Sequence, residues 1–438
     1  PRSIEEKVRG LTVSKTYRAW TTNAAGQAVE IEERAGRTNA VYGDSDNMRT
    51  IITSFVAENG HTTVKTEYPD GRLTIAGGES GTYATNADPA LCVFVPGAGD
   101  MIRSNTLFTS VGHPSGMPLK STITSEVMDR RHTIYMTETR ICTGGEPERV
   151  AWSVRQNDEF GRTIHVWNSN GTEEETAPGT CGCECATSRT GHDGVETTVE
   201  PDEMDRPFIT TRQVSPPIMT HQALDPVGRT LKTTISAGGL SMTASNKYNV
   251  AGQLLESRDN AGLVTTYSYA EGGRISTTVA PGNATNITEN YLDGRTKSVT
   301  GNGTVPQRYE YGVNADGSQW TKVYTGPACP ELVEGLGASS PVWSKTTVDM
   351  LGRTIREERP GFGGTVLTNS LAYNAKGQLV KSISAGSAPT LYSYNELGEQ
   401  FRSGLDVDGN SELNLAGSDR ISESDSYFEK DASNDWWQ

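Results

Sequence analysis

The feature that most constrains the fold of this chain is a short phrase that recurs from about residue 121 onward. The phrase is Asp or Asn, two further residues, Gly, and then Arg or Gln, and an aromatic residue often precedes it. From residue 205 the Gly, or an Asp in its place, falls at 205, 228, 252, 273, 294, 352, 377 and 398. Most of these steps span 21 to 25 residues. A repeat of this length predicts a stacked array of small supersecondary units.

Each phrase has the chemistry of a β-hairpin corner. Asp or Asn opens the turn by bonding its own backbone two residues on, and Gly supplies the left-handed conformation that closes it. Asp129 and Asp205 stand where Gly is expected, since Asp tolerates that conformation better than most residues. We therefore predict repeat turns at Gly161, Gly228, Gly252, Gly273, Gly294, Gly352, Gly377 and Gly398.

The stretches between corners alternate in polarity, as strands do. In "GRISTTV", Ile275, Thr277 and Val279 share one face, opposite Ser276 and Thr278. This pattern predicts strands with one buried and one wet face. In "LVTTYSY" the aromatic residues also share a face, which predicts aromatic rows that stack across neighbouring hairpins.

The repeat resembles the YD-repeat, or RHS-repeat, family, which includes the shells of teneurins and of insecticidal toxin complexes. The match is clearest in "YNVAGQLLESRDNAGLVTTYSY" and "YNAKGQLVKSISAG". The resemblance implies an all-β fold in which repeated antiparallel β-hairpins form a long curved or spiralling sheet, a segment of a hollow shell. Ten to twelve hairpins supply about 100 to 115 Å of sheet, which curls into a cylinder about 35 Å across. The segment is then one wall of a shell or an open, curved sheet.

The strength of the resemblance divides the chain into four parts. Residues 1–120 form a divergent β-rich region with degenerate repeats, and residues 121–326 carry YD-type repeats. Residues 327–342 form a Pro/Gly-rich loop inserted at a hairpin end, because prolines cannot run through a central strand. Repeats continue over 343–438. With no initiator Met and no signal-peptide pattern, the chain is expected to be a truncated, processed piece of a larger polypeptide.

Charge and hydropathy bear on the partners. The net charge is −15 and no Lys/Arg run occurs, which argues against nucleic acid. No apolar stretch reaches the roughly 18 residues of a membrane span. The expected partners are the remainder of the chain's own polypeptide or copies of itself, with glycans as a further class.

Six cysteines are candidates for disulfides, with connectivity left open: Cys92, Cys142, Cys181, Cys183, Cys185 and Cys329. Three of them alternate in "CGCECATSRTGHDG", with His192 seven residues on. Three thiolates and an imidazole suit tetrahedral zinc, although C-x-C-x-C is poor geometry for one metal. A disulfide-bonded corner or free thiols are the favoured alternative.

A second metal candidate is "DVDGNSELN", which places Asp406, Asp408, Asn410 and Glu412 at every second position. Carboxylate and amide oxygens at this spacing suit calcium. The alternative is a plain polar hairpin tip. No other cofactor is expected.

The sequence lacks the common catalytic motifs, and its six histidines are scattered. We therefore predict a non-enzymatic, exported structural or interaction protein, extracellular or at a cell surface, able to encapsulate or display another domain. The resemblance to toxin-complex shells implies a bacterial source and toxin encapsulation. The alternative is a carbohydrate-binding or adhesion module that uses exposed aromatic rows: Tyr267, Tyr269, Tyr392, Tyr394, Trp152 and Trp167. A polysaccharide-degrading enzyme is a third, weaker alternative, since paired carboxylates are its only support.

Overall fold

The computed structural model describes residues 1–84, 93–99, 101–110, 121–129, 134–142, 147–177, 187–204, 206–326, 342–424, 429–432 and 436–437. The described chain is built of β-strands and turns, with three one-turn 3-10 helices at Glu271–Gly273, Pro281–Asn283 and Phe362–Gly364. The predicted all-β fold class is confirmed.

The first half of the chain contributes strands β1 to β16. They are β1 (Arg2–Val8), β2 (Leu11–Thr22), β3 (Ala28–Arg34), β4 (Met48–Val56), β5 (Thr62–Glu67), β6 (Arg72–Ala84), β7 (Val93–Pro96), β8 (Met101–Ser110), β9 (Ser121–Asp129), β10 (Ile134–Cys142), β11 (Glu148–Asn157), β12 (Thr163–Asn168), β13 (Glu173–Ala177), β14 (Thr187–Thr190), β15 (Glu196–Pro201) and β16 (Pro207–Arg212).

The second half contributes strands β17 to β35. They are β17 (Ile218–Leu224), β18 (Thr230–Ala237), β19 (Leu240–Tyr248), β20 (Leu254–Arg258), β21 (Val264–Ala270), β22 (Ile275–Ala280), β23 (Ala284–Asn290), β24 (Thr296–Thr300), β25 (Gln307–Val313), β26 (Gln319–Thr325), β27 (Val342–Val348), β28 (Thr354–Pro360), β29 (Val366–Tyr373), β30 (Leu379–Ile383), β31 (Thr390–Tyr394), β32 (Gln400–Leu405), β33 (Arg420–Glu423), β34 (Glu429–Lys430) and β35 (Trp436–Trp437).

The strands from β1 to β33 form one 33-stranded sheet, in which nearly every strand pairs antiparallel with the next along the chain. The exception is β6, which pairs directly with β8 and holds β7 at its C-terminal end. The last two strands form a separate hairpin. Because pairing is sequential, each hairpin needs only a short connection, and the repeat length of two strands explains the spacing of about 22 residues.

The repeat corners share one geometry, which Asp349 and Gly352 illustrate. The Asp349 N–H donates to the Arg353 carbonyl at 2.9 Å, and the Gly352 N–H donates to the Asp349 carbonyl at 3.0 Å. The Asp349 Oδ1 accepts from the backbone N–H groups of Leu351 and Arg353, both at 2.9 Å. The register of β27 and β28 shifts beside this turn. This is a hairpin turn closed by a glycine bulge, as the Asp-x-x-Gly phrase requires.

All eight glycines at the predicted corner positions have left-handed backbone, with φ between 78° and 93°. The corner at Gly273 has a different form, because Ala270 has no side-chain acceptor for the turn. A 3-10 turn replaces it, and Glu271 and Gly272 also take positive φ. Asp205, which is predicted to take the place of a corner Gly, lies outside the described residues. At the same corner, the Asp202 N–H donates to the Arg206 carbonyl at 2.8 Å.

Burial in the repeat strands departs from the alternation predicted from sequence. Every residue of β22, β24 and β25 is half-buried, so neither face of these strands is fully covered. Strand β21 does alternate, with Tyr267 and Tyr269 half-buried between exposed neighbours. The physical reason is that the described sheet is a single layer here, whereas a buried face requires a second layer packed upon it.

The buried side chains concentrate in the first third of the chain. On β3, Val29, Ile31 and Glu33 are buried and alternate with more exposed residues. The segment 35–47 packs over this face, and the Tyr17 hydroxyl donates to the Ala40 carbonyl at 2.7 Å. A second cluster joins Phe94, Met101, Met136 and Val154.

Because each strand reverses the direction of the one before, the connecting turns alternate between two edges of the sheet. The corners at 225–229, 291–295, 349–353, 374–378 and 395–399 lie on one edge, which we call the corner edge. The turns at 35–47 and 68–71, after β3 and β5, lie on the other edge.

The two edges meet where the sheet completes a turn, along what we call the seam: the opposite edge of β1–β6 against the corner edge of β25–β32. Arg34 Nη2 donates to the Leu351 carbonyl at 3.2 Å. A Cβ added at Gly377 would lie 2.4 Å from Met48 Cε, and one added at Gly398 would lie 3.4 Å from Arg72 Cγ. The sheet is therefore a spiral whose second turn rests on its first.

The seam fixes the size of the spiral. It places the turn after β3 against the corner after β27, so one turn contains about 24 strands. At about 4.8 Å a strand, the circumference is about 115 Å and the diameter about 37 Å. This agrees with the curved or spiralling sheet predicted from sequence.

The predicted loop insertion falls almost entirely on residues 327–341, outside the described residues. Its flanks are described: Thr325 at the end of β26 pairs with Val342 at the start of β27. The segment therefore connects two neighbouring antiparallel strands. In the described part of the chain, no helix is long and apolar enough to cross a membrane.

Candidate functional site

The first candidate surface is the corner edge itself, where most corners join a carboxylate to the Arg that follows. Arg229 Nε lies 2.6 Å from Asp225 Oδ2, and Arg353 Nε lies 2.8 Å from Asp349 Oδ2. The same pair recurs as Asp158–Arg162, Asp202–Arg206 and Asp293–Arg295. In the pairs four residues apart, the acidic residue thus opens the turn with one oxygen and holds the arginine with the other. Asp293 is the third residue of its turn, which Tyr291 opens.

The pKa of the corner carboxyl is lowered in four of these pairs, those of Asp158, Asp202, Asp225 and Asp293. Hydrogen bonds from the Arg206 side chain lower the pKa of Asp202 to about 2. At Asp225 desolvation is the largest influence and raises the pKa, but hydrogen bonds from the Arg229 N–H and guanidinium outweigh it. The pKa of Asp225 is therefore also below its ordinary value. The corners at Asp202 and Asp225 therefore carry a charge pair at neutral pH.

Three of the arginines held in this way reach the tyrosine of the next repeat. The guanidinium carbon of Arg229 lies 4.8 Å from the centroid of the Tyr248 ring. The corresponding distances are 4.4 Å for Arg295 and Tyr311 and 4.6 Å for Arg353 and Tyr373. These are cation–π distances, and the half-burial of the three tyrosine rings strengthens the interaction.

The tyrosine hydroxyls complete the link by donating to the first strand residue after the preceding corner. The donor–acceptor distances are 3.3 Å for Tyr248 and Thr230, 3.0 Å for Tyr269 and Leu254, 2.9 Å for Tyr311 and Thr296, 2.9 Å for Tyr373 and Thr354, and 2.9 Å for Tyr394 and Leu379. We call the carboxylate, arginine and tyrosine together the inter-repeat clasp. The predicted aromatic rows are thus mainly arginine on tyrosine, with Tyr291 on Tyr311 as an edge-to-face ring pair.

A cavity of about 640 Å³ opens at the seam, where the tip of the first hairpin meets the corner edge. Its lining combines aromatic rings with charged groups: Arg9, Leu11, Tyr291, Leu292, Asp293, Arg295, Glu310, Tyr311, Gly312, Val313 and Trp320. Sequence reasoning missed this site, because its two walls lie about 280 to 310 residues apart in the chain.

The loop 406–419, between β32 and β33, contains the predicted calcium residues. The structure brings Asp406 and Asp408 together, but with Asp419 rather than Glu412, and one oxygen of each lies within 4.8 Å of the others. Glu412 is not part of this group, because the segment is a series of turns and alternate residues do not share a face. The calcium assignment from sequence stays a prediction. Asn410 donates its side-chain N–H to Asp408 Oδ2 at 3.0 Å, and its Oδ1 accepts from the Glu412 N–H at 2.7 Å.

Of the zinc and disulfide candidates, only Cys142 and His192 belong to the described residues. Cys92, Cys181, Cys183, Cys185 and Cys329 lie outside the described residues. Cys142 ends β10, and nothing is described of its side chain. His192 is exposed in the turn between β14 and β15. These assignments remain predictions.

The six aromatic residues proposed for glycan stacking, Tyr267, Tyr269, Tyr392, Tyr394, Trp152 and Trp167, are all half-buried. Trp152 and Trp167 pack against the cluster of Phe94, Met101, Met136 and Val154. Trp167 also stacks on His165, with ring centroids 3.9 Å apart. These two tryptophans therefore pack within the sheet.

Comparison with known proteins supports the reading of the repeat. Residues 248–285 match the family model described as RHS Repeat. They run from the end of β19 into β23 and include the corner at 249–253. The resemblance to RHS repeats is confirmed over this segment. A comparison with curated proteins finds no significant match.

Among solved structures, the chain is similar to the crystal structure of TcdB2-TccC3, with 12% identity over 92% of this chain and 25% of that one, at a TM-score of 0.41. It is also similar to the Photorhabdus luminescens Tc holotoxin pore with a substituted TccC3, with 9% identity over 92% and 30% of the two chains, at a TM-score of 0.31. The chain thus spans about a quarter to a third of the length of these structures.

Proposed function

We propose that this chain is a structural, non-enzymatic wall segment of an exported RHS-repeat shell, which encloses or displays another domain. Its partners are the rest of a longer polypeptide or copies of itself. Its place is outside the cell or at the cell surface. The acidic net charge of −15 supports this role, because it keeps a large exposed sheet soluble.

The observation that carries the proposal is the seam. A spiral in which the corner edge of one turn rests on the opposite edge of the previous turn can be extended by further repeats without any new kind of contact. Each added turn repeats the contacts that Leu351 and Gly377 make with Arg34 and Met48. The height of the wall therefore increases with each added turn.

The thin sheet also supports enclosure. The described strands β22 to β25 form one layer with both faces half-exposed. A sheet that serves as a wall leaves its inner face available to whatever lies inside. A cylinder about 37 Å across, one turn high, is too shallow to enclose a domain of ordinary size, whose radius of gyration alone is about 13 Å for 100 residues. We therefore expect further turns.

The deciding experiment is the intact mass and terminal sequences of the native polypeptide, followed by limited proteolysis. A mass far above 47.2 kDa, with a segment outside the shell repeats that resists protease until the shell is opened, supports enclosure. A native polypeptide of 47.2 kDa that remains monomeric would contradict it, because one turn of sheet has too little height.

A second candidate, carbohydrate binding, has one specific observation in its favour. The cavity at the seam presents Tyr291, Tyr311 and Trp320 beside Asp293 and Glu310. Aromatic faces that stack on sugar rings, with carboxylates that accept hydroxyl hydrogen bonds, are the usual components of a sugar site.

The test of this candidate is a glycan titration of the folded chain. Saturable binding that is lost in Trp320→Ala, but retained in Tyr392→Ala outside the cavity, would support it. Binding lost only in Tyr392→Ala would instead favour the aromatic rows proposed from sequence. The absence of saturable binding over a broad glycan set would remove the candidate.

A further inference from the structure

The loop 406–419 holds a buried acidic side chain without the partner that other buried acidic residues have. In the described part of the chain, four acidic side chains are buried: Glu33, Glu138, Asp225 and Asp406. Three of them face arginine: Arg49 lies 3.5 Å from Glu33, Arg140 lies 3.3 Å from Glu138, and Arg229 lies 2.6 Å from Asp225. No Lys or Arg of the described residues forms an ion pair with Asp406.

Asp406 is only 2% exposed, and its Oδ1 has no hydrogen-bond partner among the described residues. Its other oxygen, Oδ2, accepts from the Ser411 N–H at 3.1 Å. A buried carboxylate oxygen without a partner is costly, and such groups are ordinarily paired or bound to a metal. The Asp406 carboxylate therefore has an oxygen free for a ligand.

Two further carboxylates converge on this one. Asp408 and Asp419 each place an oxygen within 4.8 Å of an oxygen of Asp406 and of each other. Backbone groups hold both: the Asn410 N–H donates to Asp408 Oδ1 at 3.1 Å, and the Val407 N–H donates to Asp419 Oδ1 at 2.9 Å. Three like charges held so close repel one another, and a cation removes that repulsion.

We propose that Asp406, Asp408 and Asp419 bind one calcium ion. Calcium takes carboxylate and carbonyl oxygens at about 2.3 to 2.6 Å, so two ligands on opposite sides of the ion stand about 4.8 Å apart. Oxygens spaced within 4.8 Å fit that arrangement. Magnesium demands shorter distances in a near-ideal octahedron, which a loop with fixed backbone hydrogen bonds meets less well.

The position of the site indicates what the ion does. Loop 406–419 joins β32 to β33, and Leu405 and Arg420 on either side of it pair across the hairpin. Strand β33 is short and is the last strand of the sheet in the described chain. Calcium therefore secures the hairpin on which later strands of the sheet would be added, and it does so independently of the proposed enclosure.

The experiment uses the full chain, treated with EDTA and titrated calorimetrically with calcium chloride and, separately, magnesium chloride up to about 10 mM. We expect one calcium per chain, at least tenfold weaker binding of magnesium, and slower hydrogen exchange over 406–424 with calcium. Asp408→Asn and Asp419→Asn should weaken calcium binding at least tenfold, as should Asp406→Asn. Asp408 is exposed, so its variant folds even if Asp406→Asn does not.

The matched control is Asp259→Asn, at a turn on the same edge of the sheet that Asp259 holds through the Ala261 and Leu263 N–H groups. Because Asn holds equivalent turns at Asn249 and Asn374, this variant should bind calcium as the parent does. Absence of calcium binding, unchanged affinity in Asp408→Asn and Asp419→Asn, or equal affinity for magnesium would each overturn the proposal.

Discussion

Arg34 donates a hydrogen bond to the carbonyl of Leu351 at 3.2 Å, although 317 residues separate them in the chain. This bond joins the opposite edge of the first strands to the corner edge of the later ones. A flat or open sheet would keep the two residues about 110 Å apart. The contact therefore marks one completed turn of the spiral.

The seam predicts that two glycines with the same backbone will respond differently to alanine. Gly317 and Gly294 both have φ of 85°, so both variants carry the same left-handed strain, about 1 kcal/mol. A Cβ at Gly317 would also lie 2.6 Å from the Thr12 carbonyl oxygen, while nothing lies within 4 Å at Gly294. We expect Gly317→Ala to lower the free energy of unfolding by about 1 to 3 kcal/mol more than Gly294→Ala. Chemical denaturation measures the difference, and equal effects would contradict the seam.

The inter-repeat clasp predicts a cost for removing one tyrosine hydroxyl. Tyr373→Phe keeps the ring under Arg353 but loses the hydrogen bond to the Thr354 carbonyl. We expect a loss of about 0.5 to 1.5 kcal/mol of unfolding free energy. Tyr392→Phe, at a half-buried tyrosine without such a bond in the described chain, is the control and should cost less than about 0.5 kcal/mol. Similar losses in both would argue against the clasp.

The corner carboxyls predict an acid transition. The folded-state pKa of Asp202 is about 2, below its ordinary 3.8, so its contribution to stability is complete above pH 3.8 and is lost as pH falls through 2. The unfolding temperature should therefore drop between pH 4 and pH 2. Asp202→Asn keeps the turn but removes the charge. The difference in unfolding temperature between the parent and this variant should therefore become smaller as the pH falls over that range. A difference that stays constant would mean that the charge pair contributes nothing to stability.

The packing of Trp320 at the seam cavity predicts a sensitive glycine within a strand. A Cβ at Gly312 would lie 2.3 Å from the Trp320 ring, so Gly312→Ala must displace that ring. We expect a cost of about 1 to 3 kcal/mol and a red shift of tryptophan emission. Gly78→Ala, where the nearest atom is His61 Nδ1 at 3.3 Å, should change both measurements little. An unchanged emission spectrum in Gly312→Ala would contradict the packing of Trp320 on Gly312.

Local chemistry made the repeat predictable. Asp349 and Gly352 fix a turn through hydrogen bonds within five residues, so the phrase is sufficient to place a corner. The same reasoning explains the exception among the predicted corners. Ala270 has no side-chain acceptor, so a 3-10 turn replaces the usual corner before Gly273. The strand order follows as well, because short connections leave sequential antiparallel pairing as the available arrangement.

The contacts between repeats were only partly predictable. The sequence predicts that tyrosines on a shared face stack on one another. In the structure, Tyr373 instead lies under Arg353, and the carboxylate of Asp349 orients that arginine. The sequence places both residues at repeat-like spacing. The sequence alone does not determine which side chain each tyrosine ring contacts, because that depends on the register of neighbouring strands.

The sequence by itself determined the all-β class, the hairpin corners and the repeat length, since each rests on interactions between residues close in the chain. Only the tertiary structure decided that β3 meets the corner after β27, that a cavity forms between Leu11 and Trp320, and that Asp419 joins Asp406 and Asp408. Small twists at each strand accumulate into the curvature of the sheet. Contacts across hundreds of residues depend on that sum, and no local pattern of residues encodes it.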